Sequence, residues 1–430
     1  MAAEMQSGLS SDQASKLKML CTPIESLPTG DELGLFYGLD LGKTSVRIMR
    51  VQLGGQDARI VKQEVVEVPI PCELMVGSSE ELFEYIAREL AKFVATEYEA
   101  FPVIAVRRKE LGFTILFPID QRSGSSGTII EWPKGFAIKD TVGKDAVTEI
   151  NEAMERNGVD MRVFALVNDT VGALAEGRYI SSDVVASVIL GVGANAAYVE
   201  LAHAVPKWHG PLPNSGHMVI NMEWGNFHSS HLPVTEFDIR LDAESSNPGE
   251  QIFEKLISGM HLGEIVRRVL LKMAEDIGLF GDTIPPKLRI PFVLRTPDMA
   301  AMHQDTSENL EMAGEKMKDV FGIQASNLMM RKIVINVCRV VAERGAHLVA
   351  AGIVGILKMI GRERLKERSV VVVDGSLYEH YRCFRECLHG SVTDMLRTDG
   401  CHENVIIEHL NSGIGAALIA AAHSKDTQNY

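Results

Sequence analysis

Short runs of period-two alternation are interleaved with longer stretches of helical spacing along this chain. A strand, a turn and a strand are predicted over Phe36–Leu41, Gly42 and Val46–Leu53, with Val46 and Ile48 alternating against Arg47 and Met49. Leu82, Ile86, Leu90 and Phe93 fall on one helical face and predict a helix over 80–98. Next come a strand over Gly112–Pro118, a Ser- and Gly-dense loop over Asp120–Gly127, and a helix over about 143–157. A strand over Arg162–Val167 ends at Asn168-Asp169-Thr170. The second half opens on another hairpin, Val184–Leu190 and Ala196–Leu201 around Gly191-Val192-Gly193. The Gly-, Pro- and His-rich stretch 203–250 reads as irregular, and helices follow near 250–278, 307–320 and 328–360. The β-branched run Ser369–Val373 predicts a strand that ends in Asp374-Gly375-Ser376 and leads into a helix. Last, Val405–His409 meets Ser412-Gly413-Ile414-Gly415 and a small-residue helix, Ala416–Ala422. Residues 1–30 are polar and are expected on the surface.

Composition narrows the class. The 430 residues suffice for two domains, and 46% apolar with 23% charged residues is a globular balance. Lys and Arg number 43 against 57 Asp and Glu, a net charge of −14. That charge argues against direct nucleic-acid binding or an anionic membrane surface as the main task. Any phosphate ligand then needs a local device. The six cysteines (21, 72, 338, 383, 387 and 401) form no CxxC, so no disulfide or zinc framework is indicated. Cys383 and Cys387, four apart on a predicted helix, read as small buried residues before a metal pair. The N-terminus lacks a basic segment followed by an apolar one, so no signal peptide is expected. The longest apolar stretch, 328–360, carries Arg331, Lys332, Arg339, Glu343 and Arg344, which argues against a membrane span. A cytoplasmic protein is expected, with mitochondrial association reserved for a longer form.

One pattern recurs: a strand ending in an acidic residue and a glycine turn, at Asp40-Leu41-Gly42 and at Asp374-Gly375. Gly42-Lys43-Thr44 matches the end of a Walker A loop, but its glycine spacing is short, Asp40 lies where phosphate would sit, and a strand-like segment follows. GVGANA at 191–196 resembles a dinucleotide fingerprint, yet it leads into strand-like AAYVELA instead of a helix. A single arrangement accounts for all the turns: two glycine hairpins aim backbone amides at a nucleotide's phosphates, while acidic residues hold a hydrated Mg²⁺.

The stretches GLFYGLDLG (34–42), LVNDTVGALAEG (166–177), VINMEWGNF (219–227), LDAESSNPGEQIFEKLISGMHLGEIVRR (241–268) and PFVLRTPDMAAMH (291–303) closely resemble the hexokinase family, its plant members above all. The resemblance runs from about Lys16 to Ala422. It implies an α/β, actin-like (ribonuclease H-like), two-domain sugar-kinase fold. After an N-terminal helical or surface segment (1–32), 33–168 would form the small domain, rejoined by helix 412–424, and 170–411 the large one. The implied cleft closes over the sugar and expels water. ATP and Mg²⁺ are the implied cofactors and glucose or another hexose the acceptor. Asp169 is the implied general base, with Lys134 stabilising developing charge. Lys134, Asn168, Asp169, Asn195, Glu223, Gln251 and Glu254 are the implied sugar contacts. The implied nucleotide contacts are Asp40, Gly42, Thr44, Arg47, Gly191, Gly193, Asp374, Gly375, Ser376, Ser412 and Gly413. No metal ligand is fixed; Mg²⁺ arrives with ATP near Asp40.

Departures from the family pattern fall inside these motifs. LDLGGTNFR is here LDLGKTSVR, with Lys43, Ser45 and Val46, and a φ > 0 requirement would tell against Lys43. FTFSFP is FTILFP, so Leu116 replaces a sugar-binding serine. WTKGF is WPKGF, so Pro133 removes a hydroxyl and an N–H. GTGSNA is GVGANA, so Val192 and Ala194 replace hydroxyl residues. The DGSG-type nucleotide turn is LNSG, with Leu410 and Asn411. Each lost hydrogen bond costs roughly 1–3 kcal/mol when its partner stays unsatisfied. Several together slow transfer on the order of 10³-fold. Two readings stay open: an ATP-dependent hexose 6-kinase, and a glucose-binding protein or sensor with impaired turnover and regulatory partners. The intact sugar carboxylates beside altered phosphate contacts tilt the balance to the second.

Overall fold

A computed structural model describes residues 1–430 except 23, 25, 57, 97–108, 117–118, 124–125, 131, 133–135, 139–141, 362–366, 398–403, 411–412 and 428–430; at 58, 120–123 and 425–427 it describes the backbone alone. In chain order, the helices and strands are α1 (Ala2–Ser10), β1 (Leu20–Thr22), β2 (Leu33–Leu41), β3 (Ser45–Gly54), β4 (Ala58–Pro69), α2 (Ser79–Ala95), β5 (Lys109–Ile115), β6 (Ile119–Ser123), β7 (Ser126–Ile129), α3 (Ala146–Arg156), β8 (Met161–Asn168), α4 (Asp169–Ile180), β9 (Val184–Leu190), β10 (Ala194–Leu201), β11 (His217–Asn221), α5 (Glu236–Ala243), α6 (Ile252–Ile257), α7 (Leu262–Ile277), α8 (Thr296–His303), α9 (Glu311–Phe321), α10 (Leu328–Met359), β12 (Ser369–Asp374), α11 (Ser376–His380), α12 (Arg382–Arg397), β13 (Val405–His409) and α13 (Gly415–Thr427). The strands form a six-stranded sheet, β1-β11-β10-β9-β12-β13, a five-stranded sheet, β4-β3-β2-β5-β8, and the pair β6-β7.

By contact the chain divides into two compact units. The first holds residues 20–187, 197–221 and 410–430; the second holds 1–19, 188–196 and 222–409. The division therefore falls within β9 and β10, whereas the expected boundary lay near 169. Residues 170–187 join the first unit because α4 packs on β5, β8 and α13 of that unit.

In the first unit, β2 pairs antiparallel with β3 and parallel with β5, and β8 runs parallel to β5. Strands covered on both faces are apolar almost throughout, as β2 is. One apolar cluster joins Leu39, Leu41, Ile48 and Phe113 to Leu82, Phe83, Ile86 and Leu90 of α2. Another joins Phe36, Met49 and Val51 to Ala416, Ala417, Ala420 and Ala421 of α13. Helix α2 starts where it does because Ser78 and Glu81 form a capping box, each side chain accepting from the other's backbone N–H (3.2 and 2.9 Å). The expected loop 120–127 is instead the β6–β7 ribbon. Within the stretch expected to be irregular, β11 and α5 form, and α5 opens on a Thr235–Asp238 capping box.

In the second unit, α10 buries a stripe that includes Val334, Cys338, Val341, Ala342, Val349 and Ile353. It is the one described helix long and apolar enough to cross a membrane, and most of its apolar stretch is buried in the unit. The N-terminal segment is not a surface tail: Met5 and Leu9 of α1, with Leu17 and Met19, are buried. The predicted helix over 250–278 is broken into α6 and α7 at Ser258–His261. Among the described residues no cluster of three or more metal-ligating side chains forms, around Cys383 and Cys387 or elsewhere.

Two ionic arrangements anchor this unit. Glu264, fully buried, accepts from Arg267 at 2.6 Å through both oxygens, from Arg268 at 2.8 Å and from the Phe292 amide at 2.7 Å. Asp238 takes a two-pronged bond from Arg344 at 2.7 and 2.8 Å. Burial pushes the Asp238 carboxyl up, but Arg344 and Thr235 outweigh it and hold it below its ordinary range. Glu264→Gln takes the carboxylate from buried Arg267, while Arg268 keeps Glu244 at 2.7 Å, and should cost about 3–5 kcal/mol, read as a lower urea midpoint. The Asp238 contribution is complete above the unfolded carboxyl pKa and is lost as pH falls through the lower folded value. Between about pH 4.5 and 3, urea stability of the native chain should therefore fall more than that of Asp238→Asn.

Candidate active site

In the first unit the β2–β3 hairpin builds a turn at 42–45. The Gly42 amide donates to Ser45 O at 3.0 Å, the Leu116 amide to Leu41 O at 3.3 Å, and the Ile70 amide to Thr44 O at 2.8 Å. Lys43 and Thr44 point outward and are exposed, while the Ser45 hydroxyl donates to Glu67 at 2.6 Å. Lys43 does not adopt positive φ, so the expected backbone conflict is absent. Asp40 and Arg47 face each other in register, 3.7 Å apart, and Arg47 also donates to Gly413 O at 3.2 Å. Glu176, buried in α4, accepts from the Ile414 amide at 3.0 Å. Asp40, Gly42, Arg47 and Gly413 are thus tied together around one turn. Glu176 was not foreseen; its only sequence signal is a lone carboxylate inside the small-residue run GALAEG.

Asp169 stands where β8 gives way to α4. Asn168 caps the helix by accepting from the Thr170 amide at 3.0 Å, and its side-chain NH₂ donates to Ile115 O at 3.4 Å. Asp169 Oδ1 accepts from the Thr170 amide at 2.7 Å and from its hydroxyl at 3.2 Å. The carboxylate is therefore oriented and half-exposed at the positive end of a helix dipole. Leu116, in place of a serine, packs partly buried against the apolar cluster under α2. Leu410 is likewise buried. Trp132 stacks on Phe136 with ring centroids 5.1 Å apart. Lys134, Pro133, Asn411 and Ser412 lie outside the described residues.

The second unit gathers Glu223 and Glu254, the carboxylates expected at the sugar. Glu254 Oε2 accepts from the Ala194 amide at 3.1 Å, and the Asn195 side-chain NH₂ donates to Glu223 Oε1 at 3.2 Å. Glu223 and Gln251 both adopt left-handed backbone, φ 51° each, a conformation non-glycine residues hold only when their surroundings enforce it. Both positions adjoin buried aromatics: Trp224 follows Glu223, and Phe253, two residues after Gln251, meets Trp224 and Phe227 edge-on at 5.7 and 5.6 Å. Asn247 further donates to the Gln251 side chain at 2.9 Å.

The second glycine turn lies in the same unit. Gly191 N donates to Gly193 O at 3.0 Å, and the amides of Gly259 and Met260 donate to Gly191 O (2.8 Å) and Val192 O (3.1 Å). Val192 is 60% exposed, presenting an isopropyl group to solvent; Ala194 is buried. Asp374 accepts from the Gly375 amide at 2.6 Å, and Ser376, which follows, is exposed. Gly375 has φ 113°, and a Cβ there would lie 2.5 Å from Leu190 O, so only glycine fits beside the turn. A Cβ at Gly193 would meet Glu254 Oε2 at 3.1 Å. Gly193→Ala should push that carboxylate off the Ala194 amide, raising hydrogen exchange at Ala194 on the order of tenfold; unchanged exchange would show that the carboxylate does not depend on the glycine.

Two family models, both described as hexokinase, match residues 1–179 and 185–422. Hexokinase-1 of Spinacia oleracea is 61% identical over 431 residues, covering 99% of this chain and 86% of that protein. Hexokinase-1 of Arabidopsis thaliana is 60% identical, again over 99% of this chain and 86% of its own length. Among solved structures, hexokinase from Schistosoma mansoni complexed with glucose is 33% identical with a TM-score of 0.82, over 98% of this chain and 93% of that one. With both halves matched and this identity along its length, the chain belongs to the hexokinase family, plant-type in its sequence, and has the two-domain α/β sugar-kinase fold.

Proposed function

We propose that this chain binds a hexose, glucose first, and phosphorylates its 6-hydroxyl from ATP with strongly reduced turnover. One contrast carries the reading. The sugar-side groups are pre-oriented by hydrogen bonds (Glu254 on the Ala194 amide, Asn195 on Glu223), while the phosphate-side positions carry an exposed lysine and an exposed valine where the family has glycine and threonine.

The residues present fit a nucleoside triphosphate with its Mg²⁺. In the first unit the turn at 42–45, with Asp40 at the end of its strand, would face phosphate and metal; in the second the Gly191–Gly193 turn and Asp374-Gly375, where close approach to Leu190 O admits only glycine, would do the same. When bound, that group supplies the transferable phosphoryl and the charge that neutralises it. In this reading Glu254 and Glu223 accept hydrogen bonds from sugar hydroxyls and fix the ring, and Asn195 and Gln251 support them. Asp169, its Oδ1 held by Thr170, accepts the proton of the attacking hydroxyl. Leu116 and Val192 cannot donate the hydrogen bonds that a serine and a threonine would. A missing donor to the reacting group raises the barrier by about 3–4 kcal/mol.

A second reading, a glucose sensor without turnover, gains support from Leu116, whose side chain packs into the apolar cluster instead of offering a hydroxyl. One paired measurement separates the readings: glucose-induced change in tryptophan fluorescence together with a coupled ATP assay. Saturable binding with slow turnover is expected. Turnover on the order of tens per second would remove the case for impairment; binding with none would leave the sensor; neither would defeat both. Reverting Leu116→Ser, Pro133→Thr and Val192→Thr together should raise turnover on the order of 10²–10³-fold.

A further inference from the structure

The five-stranded sheet has, among the described residues, an open edge. Strand β4 pairs with β3 on one side and with no strand on the other. It is 12 residues long, and Ile60, Val61, Val65 and Val66 are all exposed, Val61 to 52%. A long edge strand with apolar side chains presents a row of N–H and C=O groups able to pair with another chain.

What that chain would be is written in the strand itself. In an antiparallel pair of identical strands centred on Gln63, residues equally far from the centre face each other. Lys62 then meets Glu64, Val61 meets Val65, Ile60 meets Val66 and Arg59 meets Glu67. Each facing pair is either opposite in charge or β-branched on both sides, and two-fold symmetry makes each occur twice. Moving the centre by one residue sets Lys62 against Val66, or Glu64 against Ile60, so this register alone combines the charges and the valines.

The intrachain bonds leave room for this. Arg50 engages Glu64 through Oε2, and Ser45 engages Glu67 through Oε1, so each carboxylate retains a second oxygen that can accept. Arg59 already donates to Ile180 O, and the register shifts opposite Leu53 end the regular ladder near Lys62. Pairing therefore centres on the five residues 61–65. We propose that β4 is a self-association edge, joining two copies of this chain through one continuous sheet. Five to seven residues per strand make a contact well below the area of a standard stable interface, so the dimer is weak, with a dissociation constant on the order of 10–100 μM.

Sedimentation velocity of the full chain over roughly 1–200 μM tests this. The unaltered chain should shift from monomer to dimer across the range. Val61→Lys with Val65→Lys, which opposes lysine to lysine at both outer pairs, should stay monomeric throughout. Val61→Lys with Val65→Glu, which opposes lysine to glutamate, should associate again to within about threefold of the unaltered chain. Both substituted positions, 61 and 65, are exposed, so folding is preserved, and far-ultraviolet circular dichroism checks it. The proposal is overturned by a chain that stays monomeric to the highest concentration. It is equally overturned if the double-lysine variant dimerises like the unaltered chain, or if the lysine–glutamate variant is no better than the double-lysine one.

Discussion

The geometry around the second glycine turn depends on one hydrogen bond: the Glu254 carboxylate accepts from the Ala194 amide, 3.1 Å away. A Cβ at Gly193 would meet that carboxylate at 3.1 Å, so any larger residue there requires Glu254 to shift by a few tenths of an ångström. The same bond couples α6 to the second glycine turn. Around it, Phe253, Trp224 and Phe227 pack edge-on beside Glu223 and Gln251, whose backbones are left-handed.

Much of this was readable in advance, for identifiable reasons. Both hairpins were legible because apolar runs flank a glycine turn, and Asp169 because a polar triplet ends an apolar strand. Strand β4 was missed: it is an edge exposed on both faces, so its lysine and glutamates interrupt the alternation that marks a half-buried strand. The break between α6 and α7 was hidden because apolar spacing continues through Ser258–His261. Lys43 is instructive in the other direction. Sequence pattern gives residue identity and not φ, and the conformation at that turn accommodates a side chain without strain. Glu176 is a third kind of case, since its partner is a backbone amide, and no spacing rule links a carboxylate to a distant N–H.

The substitutions relative to the family are spread unevenly over this framework. Lys43 and Val192 sit on turns whose shape is held by backbone hydrogen bonds, so the fold tolerates them. Leu116 packs against an apolar cluster of the first unit, where a serine would bring a hydroxyl. Glu254 and Glu223 are held within the second unit by the Ala194 amide and the Asn195 side chain.

The buried contact between Glu176 and Ile414 has a bearing on how the chain reaches this state. The two residues are 238 positions apart, and the alanine face of α13 completes one side of a sheet whose strands lie hundreds of residues earlier. During synthesis from the N-terminus, that sheet emerges with one apolar face uncovered and a carboxylate awaiting its amide. It must remain so until α13 has left the ribosome. Such long-range closure is slow. Helix α13 thus acts as a late checkpoint: a chain that stops short of it keeps an apolar sheet face open to aggregation and to quality control, however well its earlier residues have folded.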